Sequence, residues 1–419
     1  MRILLVTPRF PYPPHRGDTL RSWGLLRALA AGHEVWLAAA DAAPPAPEHV
    51  AVVRGLCRDV FCCVTPEWHR LLRGALGLAW GRSVTAGYFG DAALRARLRE
   101  WSHHPGFDAV ITYSSSIAPA VADLPIPRRI LDLGDVDSHK WALYARRTWP
   151  PARWFYALES RRVAELERAA VADHELCLLV NERERRKFAR RHPACPTGVL
   201  RTTVDLDDYV GHEALPAEPV VSLIGSMFYP PNVRAVEWFG QRVWPRIRAA
   251  VPAARWLIVG SRPTAAVRAW ARVPGVTVTG YVPDVRPYLA LTRVFVNPVV
   301  GDIGVQSKVL VALAAGRPAV VTADTAAGID HDDPPPFVVA TAPAEFAAGV
   351  VRLLRDDAWA RTIGARARAT AERYYSTAAL RAVLDGYLAA VAGPPAVLSG
   401  SVCDPAGPRR LRTPVVGRP

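Results

Sequence analysis

The chain has 419 residues and 52 Lys and Arg, of which only three are lysines: Lys140, Lys187 and Lys308. Lys308 is the most informative. It ends the stretch Gly301-Asp302-Ile303-Gly304-Val305-Gln306-Ser307-Lys308, which runs on into Val309-Leu310-Val311-Ala312-Leu313-Ala314-Ala315-Gly316. A helix that begins after such a glycine turn offers free N–H groups and the positive end of its dipole. A lysine one turn in adds a full charge, and the combination suits a diphosphate. The blander alternative is a solvent-facing lysine on a surface helix. Two other segments carry similar chemistry. Leu223-Ile224-Gly225-Ser226 ends an apolar run in a Gly-Ser turn whose N–H groups can face an anion. Pro8 to Asp18 is a proline-stiffened loop in which Gly17 allows a ligand close to the backbone just ahead of a helix.

These segments need a scaffold, and the hydrophobic pattern supplies one. Ile3–Val6 is a continuous apolar run, as expected of a buried parallel strand. Asp18 or Thr19 is placed to cap a helix bearing Leu20, Trp23, Leu26 and Ala30, and Gly32 stops it before the strand at Val35–Ala38. Further strands are expected at Ala51–Val53, Val60–Val64, Ala109–Tyr113, Arg129–Asp132 and Glu175–Val180, with a long charged helix over 153–172. The alternation then restarts. Strands are expected at Val220–Ile224, Arg255–Val259, Val276–Thr279, Arg293–Asn297 and Ala319–Thr322, with helices over 284–291, 305–315, 343–355 and 357–392. Two successive β/α blocks predict an α/β protein of two doubly wound, Rossmann-like domains facing each other across a cleft. The expected boundaries are 1–205, 206–375, a helix over 376–392 that returns to the first domain, and a Pro- and Arg-rich disordered tail over 393–419.

Composition removes several classes. The formal net charge is +14, from 52 cations and 38 anions, and it is spread as +8 over residues 1–200 and +6 over 201–419. An Arg-dominated excess shared by both halves forms no single stripe, so nucleic acid is not an expected partner. The six cysteines have no zinc-type spacing. The N-terminus lacks the apolar core and cleavage site of a signal peptide, and no run approaches a membrane span. A cytoplasmic protein is expected. There is no GxGxxG after the first strand and no P-loop, which disfavours dinucleotide oxidoreductases and P-loop enzymes. Of the 13 tryptophans, Trp23 and Trp238 fall on apolar helix faces. Trp68, Trp80 and Trp154 are candidates for packing on an acceptor or lipid tail, with core burial as the default for each.

Several motifs together resemble the GT-B glycosyltransferases of family 4, closest to bacterial sugar transferases associated with exopolysaccharide and exosortase loci. The resemblance spans roughly residues 1–390. It rests on Arg9-Phe10-Pro11-Tyr12-Pro13-Pro14 with Gly17-Asp18 and Arg21-Ser22, on Gly32-His33-Glu34-Val35, and on Asp135-Val136-Asp137-Ser138-His139-Lys140-Trp141. In the second half it rests on Gly225-Ser226-Met227 with Pro231-Asn232, on Val278-Thr279-Gly280-Tyr281 with Arg286-Pro287-Tyr288-Leu289, and on the stretch around Lys308. The resemblance implies a GT-B enzyme that moves a sugar from a nucleoside-diphosphate-sugar to a glycan, lipid-linked or small-molecule acceptor with retention. It implies no metal and no cofactor beyond that co-substrate. It assigns Lys308 to catalysis, with Asp302, next to the first family acid position, as a substitute for that acid; Gly225, Ser226, Tyr281, Gly304, Gln306 and Ser307 to the donor; and Gly17, Asp18, Arg21, Asp137 and Lys140 to the acceptor side. Capping of a helix by Asp137 or Ser138 is the alternative for that segment. The implied setting is exopolysaccharide biosynthesis, in the cytoplasm or peripherally at the inner face of the membrane.

The chain departs from the family pattern at its acids. Many relatives carry two glutamates eight positions apart; here those positions are Ile303 and Val311. Val311 cannot accept the hydrogen bonds that a ribose offers, a difference of about 1.5–3 kcal/mol for one charge-assisted bond. Asp302 adjoins the first position. In the first half, Tyr113-Ser114-Ser115-Ser116 stands where many relatives carry a histidine. Two other readings follow from these departures: a degenerate, non-catalytic GT-B partner protein, and a GT-B enzyme repurposed for non-glycosidic coupling.

Overall fold

A computed structural model describes residues 1–393 except 15, 104–105, 211–213 and 302–303. The expected tail beyond 393 and the candidates Asp302 and Ile303 therefore lie outside the described residues. The chain forms two compact units. One is Met1–Thr202 with the chain from Leu380, and the other is Thr203–Ala379.

The first unit is a parallel sheet of seven strands: β1 (Arg2–Thr7), β2 (Glu34–Asp41), β3 (Asp59–Val64), β4 (Ala109–Tyr113), β5 (Arg129–Gly134), β6 (Leu176–Leu179) and β7 (Thr197–Val199). Their order is β3-β2-β1-β4-β5-β6-β7. Residues 3–6 of β1 are wholly buried, because a parallel sheet takes helices on both faces and leaves its central strand no polar side. The order reverses between β1 and β4, which leaves a crevice at their carboxyl ends, where α/β proteins bind ligands.

The second unit repeats the plan with β8 (Val220–Ile224), β9 (Arg255–Val259), β10 (Val276–Val278), β11 (Val294–Asn297), β12 (Ala319–Val321) and β13 (Val338–Val339). Their order is β10-β9-β8-β11-β12-β13. Strand alternation divides its core in two. Val221, Leu223, Trp256, Ile258 and Val296 pack on one face, and Val220, Ile224, Leu257, Val259 and Phe295 on the other. Here the order reverses between β8 and β11. The chain leaves β8 at Gly225-Ser226 and leaves β11 toward the helix that carries Lys308.

The structure corrects the sequence reading at three places. Ala51–Val53 lies within a helix, Pro47–Arg54. Pro47 occupies the first turn, and a three-residue apolar run cannot distinguish the two periods. The first helix begins at Gly17, so its cap position is Arg16 rather than Asp18 or Thr19; Thr19 Oγ1 accepts from the Arg16 N–H at 3.1 Å. The helix Asp137–Arg147 is capped by neither Asp137 nor Ser138. Its Ser138 N–H and hydroxyl donate at 2.9 and 2.5 Å to Glu167, a buried residue of the Ala152–Ala172 helix.

Candidate functional site

The Lys308 helix, Ser307–Ala314, buries Val309, Leu310, Ala312, Leu313 and Ala314 against the second sheet. That seating leaves Lys308, in its first turn, partly buried at the carboxyl edge of β8. Its ammonium donates to Asn232 Oδ1. Asn232 is itself buried and donates from Nδ2 to the Ser226 carbonyl at 3.0 Å, so the amide is oriented from both ends. A Cβ at position 225 would sit 2.8 Å from Asn232 Nδ2 and 3.3 Å from Lys308 Nζ. Glycine there is what lets the ammonium lie against the β8 turn. Burial lowers the Lys308 pKa to about 7. Among the described residues no carboxylate pairs with it, and its partner is a neutral amide. A partly desolvated cation of this kind gains most when an anion arrives.

The neighbouring strand ends are shaped to match. Gly260, which closes β9, has φ +147°, and a Cβ there would fall 1.7 Å from the Gly225 carbonyl oxygen. The backbones after β8 and β9 therefore touch, joined by the Gly225 N–H to Val259 O at 3.0 Å and the Met227 N–H to Ser261 O at 2.9 Å. Arg262 follows in the left-handed region at φ +52°, rare for a non-glycine residue, with its guanidinium 4.2 Å from the Phe228 ring centroid. The Gly260 N–H and Thr279 Oγ1 lie 3.3 Å apart, tying β9 to the turn after β10.

The other donor-side candidates are distributed along this edge. Ser226 is exposed and Tyr281 is 74% exposed. Gly304 and Gln306 lie just before the helix, with Gln306 Nε2 donating to the Gly304 carbonyl at 3.3 Å, and Ser307 opens it. Val311 is partly buried and packs against the apolar core of the second unit. Asn232, quoted in a motif, and Gly260, read as the end of a strand, were given no role at the site by sequence, and the Arg262–Phe228 pair was not singled out. The available signal was that β8, β9 and β10 each run into a Gly within two residues.

The acceptor-side candidates occupy the corresponding edge of the first unit, but their charges are committed. Arg21 is buried and grips Asp132 with two bonds, Nε to Oδ2 at 2.9 Å and Nη2 to Oδ1 at 2.6 Å, while Nη1 donates to Thr202 Oγ1 at 3.3 Å. Burial opposes its charge, yet Asp132 outweighs that and raises the Arg21 pKa. Arg21 thus tethers the first helix to β5. Asp18 pairs with Arg9 at 3.0 Å and Arg16 at 3.2 Å, and Gly17 is exposed at the start of the helix. Burial raises the Asp137 pKa, with Lys140, exposed one turn on, opposing it. At the end of β4, Ser114 adopts φ +77°, and its hydroxyl lies 2.8 Å from that of Ser116.

Residues 218–356, within the second unit, match the family model described as Glycosyl transferases group 1. Among solved structures, sucrose-phosphate synthase from Thermosynechococcus elongatus is similar at 17% identity and TM-score 0.63, over 92% of this chain and 98% of that one. HepE from Anabaena, in complex with UDP and glucose, is similar at 15% identity and TM-score 0.60, over 93% and 99%. TarM is similar at 9% identity and TM-score 0.65, over 95% and 99%. A search of curated protein sequences finds no match. The two parallel-sheet, Rossmann-like units are those of the GT-B fold. Among the described residues no helix is long and apolar enough to cross a membrane, and no group of three or more His, Cys, Asp and Glu is placed to hold a metal ion.

Proposed function

We propose that the protein is a glycosyltransferase that takes a sugar from a nucleoside-diphosphate-sugar and passes it, with retention, to a glycan, lipid-linked or small-molecule acceptor. One observation carries the proposal: the Lys308 ammonium, partnered by the neutral Asn232 amide, lies against Gly225 where the β8–β11 order reverses. This spot belongs to the stretch matched by Glycosyl transferases group 1. HepE, a protein of similar fold, was crystallised with UDP-glucose. In this proposal the diphosphate sits between Lys308 and the N–H groups of residues 304–307. As the bond from the anomeric carbon to the diphosphate breaks, negative charge grows on the leaving oxygen, and a cation already in place stabilises it without reorganisation. Gly225, Ser226 and Tyr281 line the donor. Gly17, Asp18, Asp137 and Lys140 serve the acceptor, and Arg21 holds their scaffold. No metal or cofactor is invoked. Family 4 membership, an exopolysaccharide role and a place at the inner face of the membrane are parts of the same proposal.

A second reading has an observation of its own. Val311 is apolar and packs, partly buried, against the second core, so the ribose hydroxyls would lose an acidic partner at that position. This suits a non-catalytic GT-B partner, or a GT-B enzyme turned to non-glycosidic coupling. Calorimetric titration with UDP-, GDP- and dTDP-sugars, followed by assay for donor hydrolysis and transfer, separates the readings. The proposal expects saturable binding of one donor, lost in Lys308→Ala, together with turnover. Binding without turnover selects the second reading, and absence of binding to any donor overturns the proposal.

A further inference from the structure

The helix Glu67–Ala79 of the first unit has its polarity reversed. Arg70, Gly74 and Gly77 form its buried side. Trp68, Leu71, Leu72 and Leu76 face solvent at 61, 57, 50 and 45% exposure, and Trp80, just past the helix end, is 76% exposed. Positions 68, 71, 72 and 76 share one helix face, so these side chains form a continuous apolar stripe with tryptophan at each end.

The packing beneath holds the stripe outward. A Cβ at Gly74 would lie 3.0 Å from Val84 Cγ1, and one at Gly87 would lie 2.6 Å from the Arg73 carbonyl oxygen. This helix and its neighbour Val84–Phe89 thus meet almost backbone to backbone. Buried Arg70 fixes the roll, its guanidinium 4.8 Å from the Tyr88 ring centroid and 5.3 Å from that of Phe89. Rotating the leucines inward would drive them into a gap that admits only glycine.

A second helix extends the surface and sets its charge. Arg162 donates from Nη1 to the Leu78 and Arg82 carbonyls at 3.0 and 2.9 Å, which anchors the Ala152–Ala172 helix at the Trp80 end of the stripe. Leu158 and Trp154 lie one and two turns before Arg162 on the same side of that helix, 40 and 68% exposed. Residues 152–162 of that helix contain three arginines, of which Arg153 and Arg161 are exposed, and one acid, Glu159. Glu159 contributes no surface charge, because it is fully buried and accepts from Ser83, Val84 and Thr85. On the stripe itself the one acid, Glu67, is bonded by the Tyr88 hydroxyl at 2.8 Å.

We propose that this face docks on a bilayer containing anionic lipid, its tryptophans and leucines in the interfacial layer and its arginines at the headgroups. Apolar side chains beside arginine are what an interfacial helix presents to such a surface. A two-fold interface with a second copy fits less well, because it would set the arginine-rich segment against itself. The inference deepens the membrane location proposed above, and it rests on that part of the proposal and not on the sugar chemistry.

The test is co-sedimentation of the full chain with phosphatidylcholine vesicles, with or without about one third phosphatidylglycerol. UDP binding and sedimentation velocity are measured on the same samples. Binding is expected to the anionic vesicles, at least about tenfold stronger than to pure phosphatidylcholine, and weakened by salt. The combined variant Trp68→Ser, Leu72→Ser, Leu76→Ser and Trp80→Ser should lose at least about tenfold of it with its circular dichroism unchanged. Arg153→Glu with Arg161→Glu should lower it without touching the stripe. Vesicle binding with no UDP binding supports the inference while removing the donor proposal. Equal binding to neutral vesicles, undiminished binding of the combined variant, or a dimer that these serines disperse in a protein that ignores vesicles would each overturn it.

Discussion

The two units place cations at equivalent edges of two parallel sheets and use them in opposite ways. In the first, Arg21 is neutralised by a buried carboxylate, Asp132, and Asp18 is shared by Arg9 and Arg16. In the second, among the described residues, Lys308 is met by the Asn232 amide and by no carboxylate, and burial lowers its pKa. A cation already paired holds a scaffold together. A desolvated cation with a neutral partner costs the folded state something, and that cost is recovered when an anion binds. Under the proposed reading, the contrast lets Lys308 meet a diphosphate in the second unit, whereas Arg21 is already held by Asp132 in the first.

Four substitutions test this contrast, from the largest effect to the smallest. Arg21→Ala leaves Asp132 buried and unpaired and should lower unfolding stability by about 3–5 kcal/mol in urea titration. UDP affinity should be unchanged once the protein is folded. Gly260→Ala forces a side chain into the Gly225 carbonyl at a φ unsuited to it, and should cost about 3 kcal/mol as well as UDP binding. Lys308→Met should cost about 2–3 kcal/mol of UDP affinity by calorimetry while leaving the protein as stable or more stable. Its stability should also depend on pH with a definite sign. Because the folded-state pKa lies below the unfolded one, the unfolded chain holds the extra proton between about pH 7 and 10.5. The advantage of Lys308→Met is therefore full below pH 7 and fades as pH rises toward 10.5. Asn232→Asp makes the second edge resemble the first. By giving Lys308 a carboxylate it should raise the lysine pKa and weaken UDP binding about tenfold, with a pH titration of affinity as the readout.

Much of the fold was legible because parallel strands are apolar throughout. Val220–Ile224, Arg255–Val259 and Ala109–Tyr113 were delimited from their runs alone. β7 and β13 were not, since Thr197–Val199 mixes a polar residue and a glycine into its three positions and Val338–Val339 has two residues. The roles of the charged groups were the least legible. Arg21 and Asp132 are 111 residues apart, and Glu159 meets Val84 and Thr85 across 75 and 74. No local pattern tells a buried pair from a binding pair. The stripe from Trp68 to Trp80 shows the reverse limit. Its helical period was readable, but periodicity cannot say which face turns inward. Gly74 and Gly77, opposite the leucines, were the hint. Lys308 was found by its place in a glycine turn, whereas Asn232, its partner, lies 76 residues away.

The central claim is that Lys308 is the group that meets the diphosphate, and its pKa makes that directly measurable. UDP binding is followed by calorimetry at pH 8 in two buffers of different ionisation enthalpy, for the wild-type chain and for Lys308→Met. At that pH the free lysine is largely neutral, and a bound diphosphate should restore its charge. The prediction is uptake of close to one proton per UDP by the wild type, and none by Lys308→Met in its residual binding. Tight binding by the wild type without proton uptake, or the same uptake by both proteins, would contradict the account.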